Sequence, residues 1–290
     1  MRQFLYWQIR LLLRPFLAPW VPLWLQRLWS TAAALSTKGP LGFRSEAVTS
    51  NLQRLTPTTA QANHTILYLH GGAYVLGSLG SHGKLAAQIG HAAAATVYFC
   101  DYRLAPEHPY PAALDDALAA YRWMLAQGLT HIAIAGDSAG GGLALATTLA
   151  IRDAKLPLPS ALVLISPWVD LTLNGESHST HKARDPMLRS AWLKFGAQSY
   201  AHGEPNNAPP ISPLFGDLHG LPPMLIHVGS EEILLSDSEH LAGRAKKAGV
   251  ITQLKVFKGM WHDFHAHAGA LPESDQALAD IGAFLKPHLN

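Results

Sequence analysis

Short apolar, β-branched runs alternate with longer stretches of helical periodicity from about residue 46 onward. Thr65 to Leu69 (TILYL), Thr96 to Cys100 (TVYFC), Ile132 to Ala135, Leu162 to Ile165, Met224 to Val228 and Ile251 to Phe257 read as short buried strands. Between them the spacing predicts helices at 83–94, 114–127, 139–153, 237–248 and 275–287. Strands alternating with helices of ten or more residues predict an α/β fold, a parallel sheet covered on both faces. Glu46 to Ala60 adds one or two antiparallel strands ahead of it. No repeat or low-complexity tract interrupts the pattern.

Two intervals depart from the alternation. Residues 172–213 show no sheet strand, only a helical pattern at about Met187 to Ala201 and a Pro/Asn-rich exit from Glu204 to Pro210. A long insertion after a strand is where lids over active sites tend to lie. The other interval is the N-terminus, where Phe4 to Trp29 is apolar and aromatic but interspersed with Arg10, Arg14 and Arg27. Its longest uncharged apolar run, Pro15 to Leu25, carries three prolines and is too short to span a bilayer, which takes roughly 20 residues. It is read as a helical lid segment, with a membrane-surface helix or a signal peptide as alternatives.

The bulk numbers narrow the classes. At 290 residues, 48% of them hydrophobic, the chain can bury a sizeable core. A formal charge of +2 without Lys/Arg runs argues against nucleic acid as a partner. The lone cysteine, Cys100, ends a buried strand and reads as an inert core thiol. The location expected is cytoplasmic, with membrane-surface association or export through the N-terminal segment as the alternative, and no stable membrane insertion.

The candidate chemistry centres on Gly136-Asp137-Ser138-Ala139-Gly140, between a strand and a small-residue helix pattern. This is the context in which G-x-S-x-G holds a serine out on a sharp turn at the carboxyl edge of a sheet. Serine needs a base to take its proton, and the base needs an acid to orient it. In such sheets these follow in the order Ser, Asp/Glu, His. His262, in Gly259-Met-Trp-His-Asp-Phe264, lies directly after the Ile251 strand and is the base expected. The acid loop offers Glu231, Glu232 and Asp237. Asp237 fits a helix start, and position alone barely separates the glutamates. His70-Gly71-Gly72-Ala73-Tyr74 follows the first parallel strand, and its glycines can aim backbone N–H groups at an oxyanion. Gly71, Gly72 and Ala139 are the candidate donors, with His70 ordering the loop. His262, His265 and His267 form H-x-x-H-x-H, but without a cysteine or the H-E-x-x-H spacing this is not read as a metal site.

Taken together, the HGGAY stretch at 70–74, DYRLAPEHPYPAALDDA at 101–117, GDSAGG at 136–141 and SPWVDLT at 166–172 resemble the hormone-sensitive-lipase-like family of α/β-hydrolases, in its bacterial carboxylesterase branch. DPM at 185–187, SPLF at 212–215, GSEEILLSDS at 229–238 and GMWHDF at 259–264 match as well, so the resemblance runs from about residue 65 to 285. It implies an α/β-hydrolase core at 46–171 and 214–290 with a helical cap built from residues 1–45 and the insertion 172–213. It places the triad acid at the second acidic position of its segment, which is Glu232. Asp101, Arg103 and Glu107, in the matched stretch, are read as a structural ion-pair and turn network. Ala73 stands where many members carry a third glycine, and Ser236 where an aspartate is frequent. The activity implied is hydrolysis of short- to medium-chain carboxylic esters, with no cofactor, and with a small-molecule ester as the partner. Amide or formamide hydrolysis, or lipase action, on the same triad is the nearer alternative. A non-catalytic ligand-binding protein is the remoter one, and a homo-oligomer stays open.

Overall fold

The computed structural model describes residues 1–290. The chain opens with helix α1 (Arg2–Gln8), which continues as a π-helical turn (Ile9–Leu13), and α2 (Leu23–Ala33). Two short strands follow, β1 (Arg44–Ala47) and β2 (Leu52–Thr56), the single antiparallel part of the sheet. The alternating body then runs β3 (Thr65–Leu69), α3 (Leu79–Ala93), β4 (Thr96–Cys100), α4 (Ala112–Ala126), β5 (Ile132–Asp137), α5 (Ala139–Asp153) and β6 (Leu162–Ile165). Two helices, α6 (Ser177–Thr180) and α7 (Ser190–Ala201), precede β7 (Met224–Gly229), α8 (Leu235–Lys247), β8 (Thr252–Phe257) and α9 (Pro272–Leu289). No helix is long and apolar enough to cross a membrane.

The strands form one sheet in the order β1-β2-β4-β3-β5-β6-β7-β8, parallel from β4 to β8. Period-two side chains split the core into two layers. Leu67 and Leu69 of β3 face α4, α5 and α8, while Ile66 and Tyr68 face α3 and α9. The central strands β3, β5, β6 and β7 are buried along their whole length, which explains their largely apolar runs. Edge strand β8 alternates instead, as one half-covered face requires.

Chain direction across the sheet reverses at β3: β4 lies on one side of it and β5 on the other. At such a switch point the loops leaving adjacent carboxyl ends part and leave a crevice. The loop after β3 and the turn after β5 meet there. The segment 1–37 and the insertion close over it, tied together by a buried hydrogen bond from Trp192 Nε1 to Gln26 Oε1 (2.8 Å). Arg27 fastens α2 below, bonding Glu107 through both guanidinium NH groups and the Val75 and Ala105 carbonyls.

The matched 101–117 stretch does carry ion pairs, but Asp101, Arg103 and Glu107 pair with other residues and not with one another. Arg103 forks onto Asp116, Glu107 onto Arg27, and Asp101 lies 3.7 Å from His70.

Candidate active site

The turn from β5 into α5 is as tight as the glycines imply. Ser138 sits at φ 53°, ψ −121°, a positive-φ conformation that side chains adopt at a cost. A Cβ at Gly136 would overlap the Gly140 carbonyl, and one at Gly140 would overlap the carbonyls of Leu69 and His70. Strand, helix and the neighbouring loop can approach this closely only through glycine.

Ser138 Oγ lies 2.9 Å from His262 Nε2, and His262 Nδ1 lies 2.8 Å from Glu232 Oε2. All three are buried. Glu232 reaches the imidazole from the loop after β7, where its other oxygen accepts from Ser166 Oγ (2.7 Å) and Gly229 N–H (2.6 Å). With those donors Glu232 acts as a fixed acceptor, and the imidazole proton belongs on Nδ1. Glu231 is turned away, accepting from Ser230 Oγ. Asp237 opens α8 and accepts from the Val169 and Asp170 N–H groups. The geometry therefore brings one of the three candidate acids to His262.

Of the three backbone donors expected to face the substrate, two are free. The N–H groups of Gly72 and Ala139 make no hydrogen bond within the protein. Gly71 N–H donates to Asp137 Oδ2 (3.0 Å). Asp137, the second residue of the serine motif, also accepts from Tyr68 O–H (2.5 Å) and lies 3.4 Å from His82 Nε2. Burial pushes its carboxyl up to about 6, against the pull of the Tyr68 hydrogen bond. Sequence reasoning passed over Asp137, Ser166, Asp185 and Asp263. Asp185, from the DPM stretch, binds Ile233 N–H with one oxygen (3.0 Å) and the Met187 and Leu188 N–H groups with the other (2.8 Å). That carboxyl ties the insertion to the loop carrying Glu232. The motif positions of Asp137 and Asp185 were a signal; the role was not visible without the fold.

His70 has no contact with Ser138 or Glu232. Its ring stacks on Tyr102, with centroids 4.2 Å apart, and Nδ1 meets the Gly71 carbonyl at 2.8 Å. His265 pairs with His227 behind the site. No group of three or more histidine, cysteine or acidic side chains is arranged to hold a metal ion.

A cavity of about 360 Å³ opens above Ser138 and His262. Its apolar walls come from the N-terminal segment (Leu13, Leu17, Trp29) and the insertion (Met187, Trp192), while His82, Asp137 and Asp263 are among the polar groups near its floor. A nucleophile, a base, an orienting acid and two aimed donors at the floor of an apolar cavity can carry out acyl transfer.

Comparison with known proteins agrees with this chemistry. Residues 66–266 match a family model described as an alpha/beta hydrolase fold. An acetyl-hydrolase of Streptomyces hygroscopicus is 48% identical over 228 residues, covering 78% of this chain and 76% of its own length. An esterase of Acinetobacter venetianus is 42% identical over 228 residues, with 78% and 75% covered. The crystal structure of an esterase from the bacterial hormone-sensitive lipase family superposes with a TM-score of 0.95 at 39% identity, over 100% of this chain and 98% of that one.

Proposed function

The chain belongs to the hormone-sensitive-lipase-like branch of the α/β-hydrolases and is a carboxylic ester hydrolase, and on that premise we propose that it cleaves short- to medium-chain esters by a Ser138–His262–Glu232 relay. The observation that carries this reading is the unbroken row Ser138 Oγ, His262 and Glu232, with both links under 3 Å.

His262 Nε2 takes the Ser138 proton as Oγ attacks the ester carbonyl. Glu232 keeps the ring proton on Nδ1 and steadies the cation that forms. The tetrahedral oxyanion is met by the N–H groups of Gly72 and Ala139; losing one such donor typically costs ~3–4 kcal/mol in the barrier. Gly71 contributes by anchoring the loop through Asp137 and not as a free donor. His262 then protonates the departing alcohol, activates water, and the acyl-enzyme is hydrolysed. Residues 1–45 and 172–213 act as the cap that gives the acyl chain an apolar wall.

That wall sets the substrate range. One methylene in an apolar pocket is worth only ~1–3 kcal/mol, so preference over chain length should be graded and not absolute. The deciding experiment is p-nitrophenyl ester hydrolysis over an acyl series from acetate to palmitate, with a p-nitroanilide alongside. Wild type should be fastest on short to medium esters and slow on the anilide, and Ser138→Ala should lose at least ~10³-fold in kcat while folding normally. Near-native turnover by Ser138→Ala would end the assignment, and preference for the anilide or for palmitate would replace the substrate class with an amide or a lipid.

A further inference from the structure

A second carboxylate crowds the imidazole that acts as base. Asp263 follows His262 directly and takes a left-handed backbone conformation (φ 53°, ψ 32°), which aspartate tolerates better than most residues. Its Oδ2 lies 3.1 Å from His262 Nε2. This is the nitrogen that also lies 2.9 Å from Ser138 Oγ, while Glu232 occupies Nδ1 on the far side. The ring is held between two carboxyl groups, one at each nitrogen.

The protons do not balance for an ordinary resting triad. A neutral imidazole with its hydrogen on Nδ1 presents a lone pair at Nε2, and an ionised carboxylate at 3.1 Å would face that lone pair with its own. The contact becomes attractive when one more proton lies between them, on Nε2 or on Asp263 Oδ2. Asp263 Oδ1 is buried without any hydrogen-bond donor, so an ionised carboxylate there lacks the partners that would sustain it alone.

We propose that Asp263 is a further catalytic residue, which shares an additional proton with His262 Nε2 in the resting enzyme and steadies the imidazolium during acyl transfer. The inference rests on the Ser138–His262 reading above. Nε2 can accept from Ser138 only after the shared proton has left to solvent. Attack then moves the Ser138 proton to Nε2, regenerating an imidazolium beside an ionised Asp263. That proton leaves with the alcohol; water attacking the acyl-enzyme then gives a proton to Nε2, which passes it to Ser138 Oγ. A solvent proton restores the shared one, so the cycle closes without a net change.

The surroundings agree. Burial pushes the Asp263 carboxyl up, against the pull of His262. Burial alone would lower the imidazole, but Asp263 first and Glu232 second hold it well above its ordinary value. The other titratable groups facing His262 are Asp137 at the end of β5, His82 on α3, Asp185 in the insertion and His265 on the following turn. The N-terminal helices bring no charged group to the cavity. No other carboxyl comes within ion-pairing distance of Nε2.

The test compares wild type with Asp263→Asn and Asp263→Gly, both compatible with a left-handed backbone. Two profiles are measured from pH 5 to 10: kcat/KM for p-nitrophenyl butyrate, and the rate at which a p-nitrophenyl phosphonate labels Ser138. The wild-type acid limb should lie alkaline of an ordinary imidazole. Both variants should move it down by at least about one pH unit in both profiles, with a plateau severalfold lower. At the pH where wild type keeps a tenth of its plateau, each variant should then keep at least about fivefold more of its own. An unmoved limb with a lowered plateau is what a merely structural Asp263 would give, and it would overturn the proposal. Should neither variant fold, the wild-type His262 ring protons, titrated by NMR, decide: a midpoint at or below the ordinary imidazole value overturns it. Wild type that neither hydrolyses nor labels at any pH would bring down the acyl-transfer reading itself, a result distinct from an unmoved limb.

Discussion

Asp137 shows how much one side chain can set at this site. Its two oxygens hold Tyr68 O–H and Gly71 N–H, so a single buried carboxyl ties the serine turn to the loop that carries Gly72. Asp137→Asn keeps the size but turns an amide NH₂ toward either the Gly71 N–H or the Tyr68 hydroxyl. In either orientation one of these two buried donors loses its acceptor, and a buried unpaired donor costs ~1–3 kcal/mol. The loop should shift, and kcat on p-nitrophenyl butyrate should fall roughly 10- to 100-fold with KM little changed. Unchanged kcat would show that the Gly72 donor does not depend on this anchor. The acid is tested the same way: Glu232→Gln should cost at least ~10³-fold in kcat, whereas Glu231→Gln should stay within a few-fold. Ser138 and His262 were legible because a motif and a fixed chain order point to them. The two glutamates were not separable by position, because what distinguishes them is delivered by Ser166 and Gly229, which only the fold brings to Glu232. Asp263 was illegible for a different reason, since a backbone turn at that one residue aims its carboxyl at Nε2.

At the scale of elements, buried strands were easy to read and covering helices were not. The apolar runs at 65–69, 96–100 and 162–165 coincide with β3, β4 and β6, because a strand buried on both faces must be continuously apolar. Helix α3 starts at Leu79, four residues before its apolar periodicity shows. Gly80 and Gly83 hide the first turn, which Ser81 Oγ secures by accepting from Ser78 N–H. The N-terminal helices carry exposed Phe4, Trp7, Trp24 and Leu28, so their pattern never matched a one-sided core helix. Leu5 and Ile9 pack against Met260, Trp261 and Phe264, and a few long-range polar ties, which periodicity cannot encode, complete the attachment. Gln26 is the clearest, donating to the Ala18 and Val21 carbonyls and accepting from Trp192. Gln26→Leu would strand a buried indole N–H and the Val21 carbonyl, while the Ala18 carbonyl keeps the Val21 N–H. Urea unfolding should show a loss of ~2–3 kcal/mol. Because Trp192 lines the cavity, KM for the preferred ester should rise while kcat holds. A stability change below about half a kcal/mol would mean the two overlying pieces are joined by packing alone.

For the molecule as a whole, the sequence carries sixteen scattered histidines, residues that can serve either at the surface or in packing. Composition could not tell which of them the sheet and its helices would enclose. Burial holds several neutral: His70 and His227 are lowered to about 3 and His82 and His267 to about 4, with His265 well below its ordinary value. A histidine lowered in this way gains its proton only on unfolding, so stability falls as pH drops below about 6.5 and goes on falling until the folded pKa is reached. Buried carboxyls act in the opposite sense. Asp137, raised to about 6, takes up its proton in the folded state first and gains stability between there and the ordinary 3.8. His262, raised beside its carboxyl partners, likewise favours the fold at low pH and loses that contribution as pH rises through its folded value. His227 isolates the first effect. It lies on β7 beside Ile165 of β6, its Nε2 has no partner, and it touches none of the reacting groups. Between about pH 7.5 and about pH 5 this one residue should cost the wild type about 2 kcal/mol of stability. His227→Leu should flatten the drop measured by urea unfolding at the two pH values by that amount, and should leave ester hydrolysis at neutral pH unchanged. An equal drop in wild type and variant would place the acid sensitivity with the other four enclosed imidazoles.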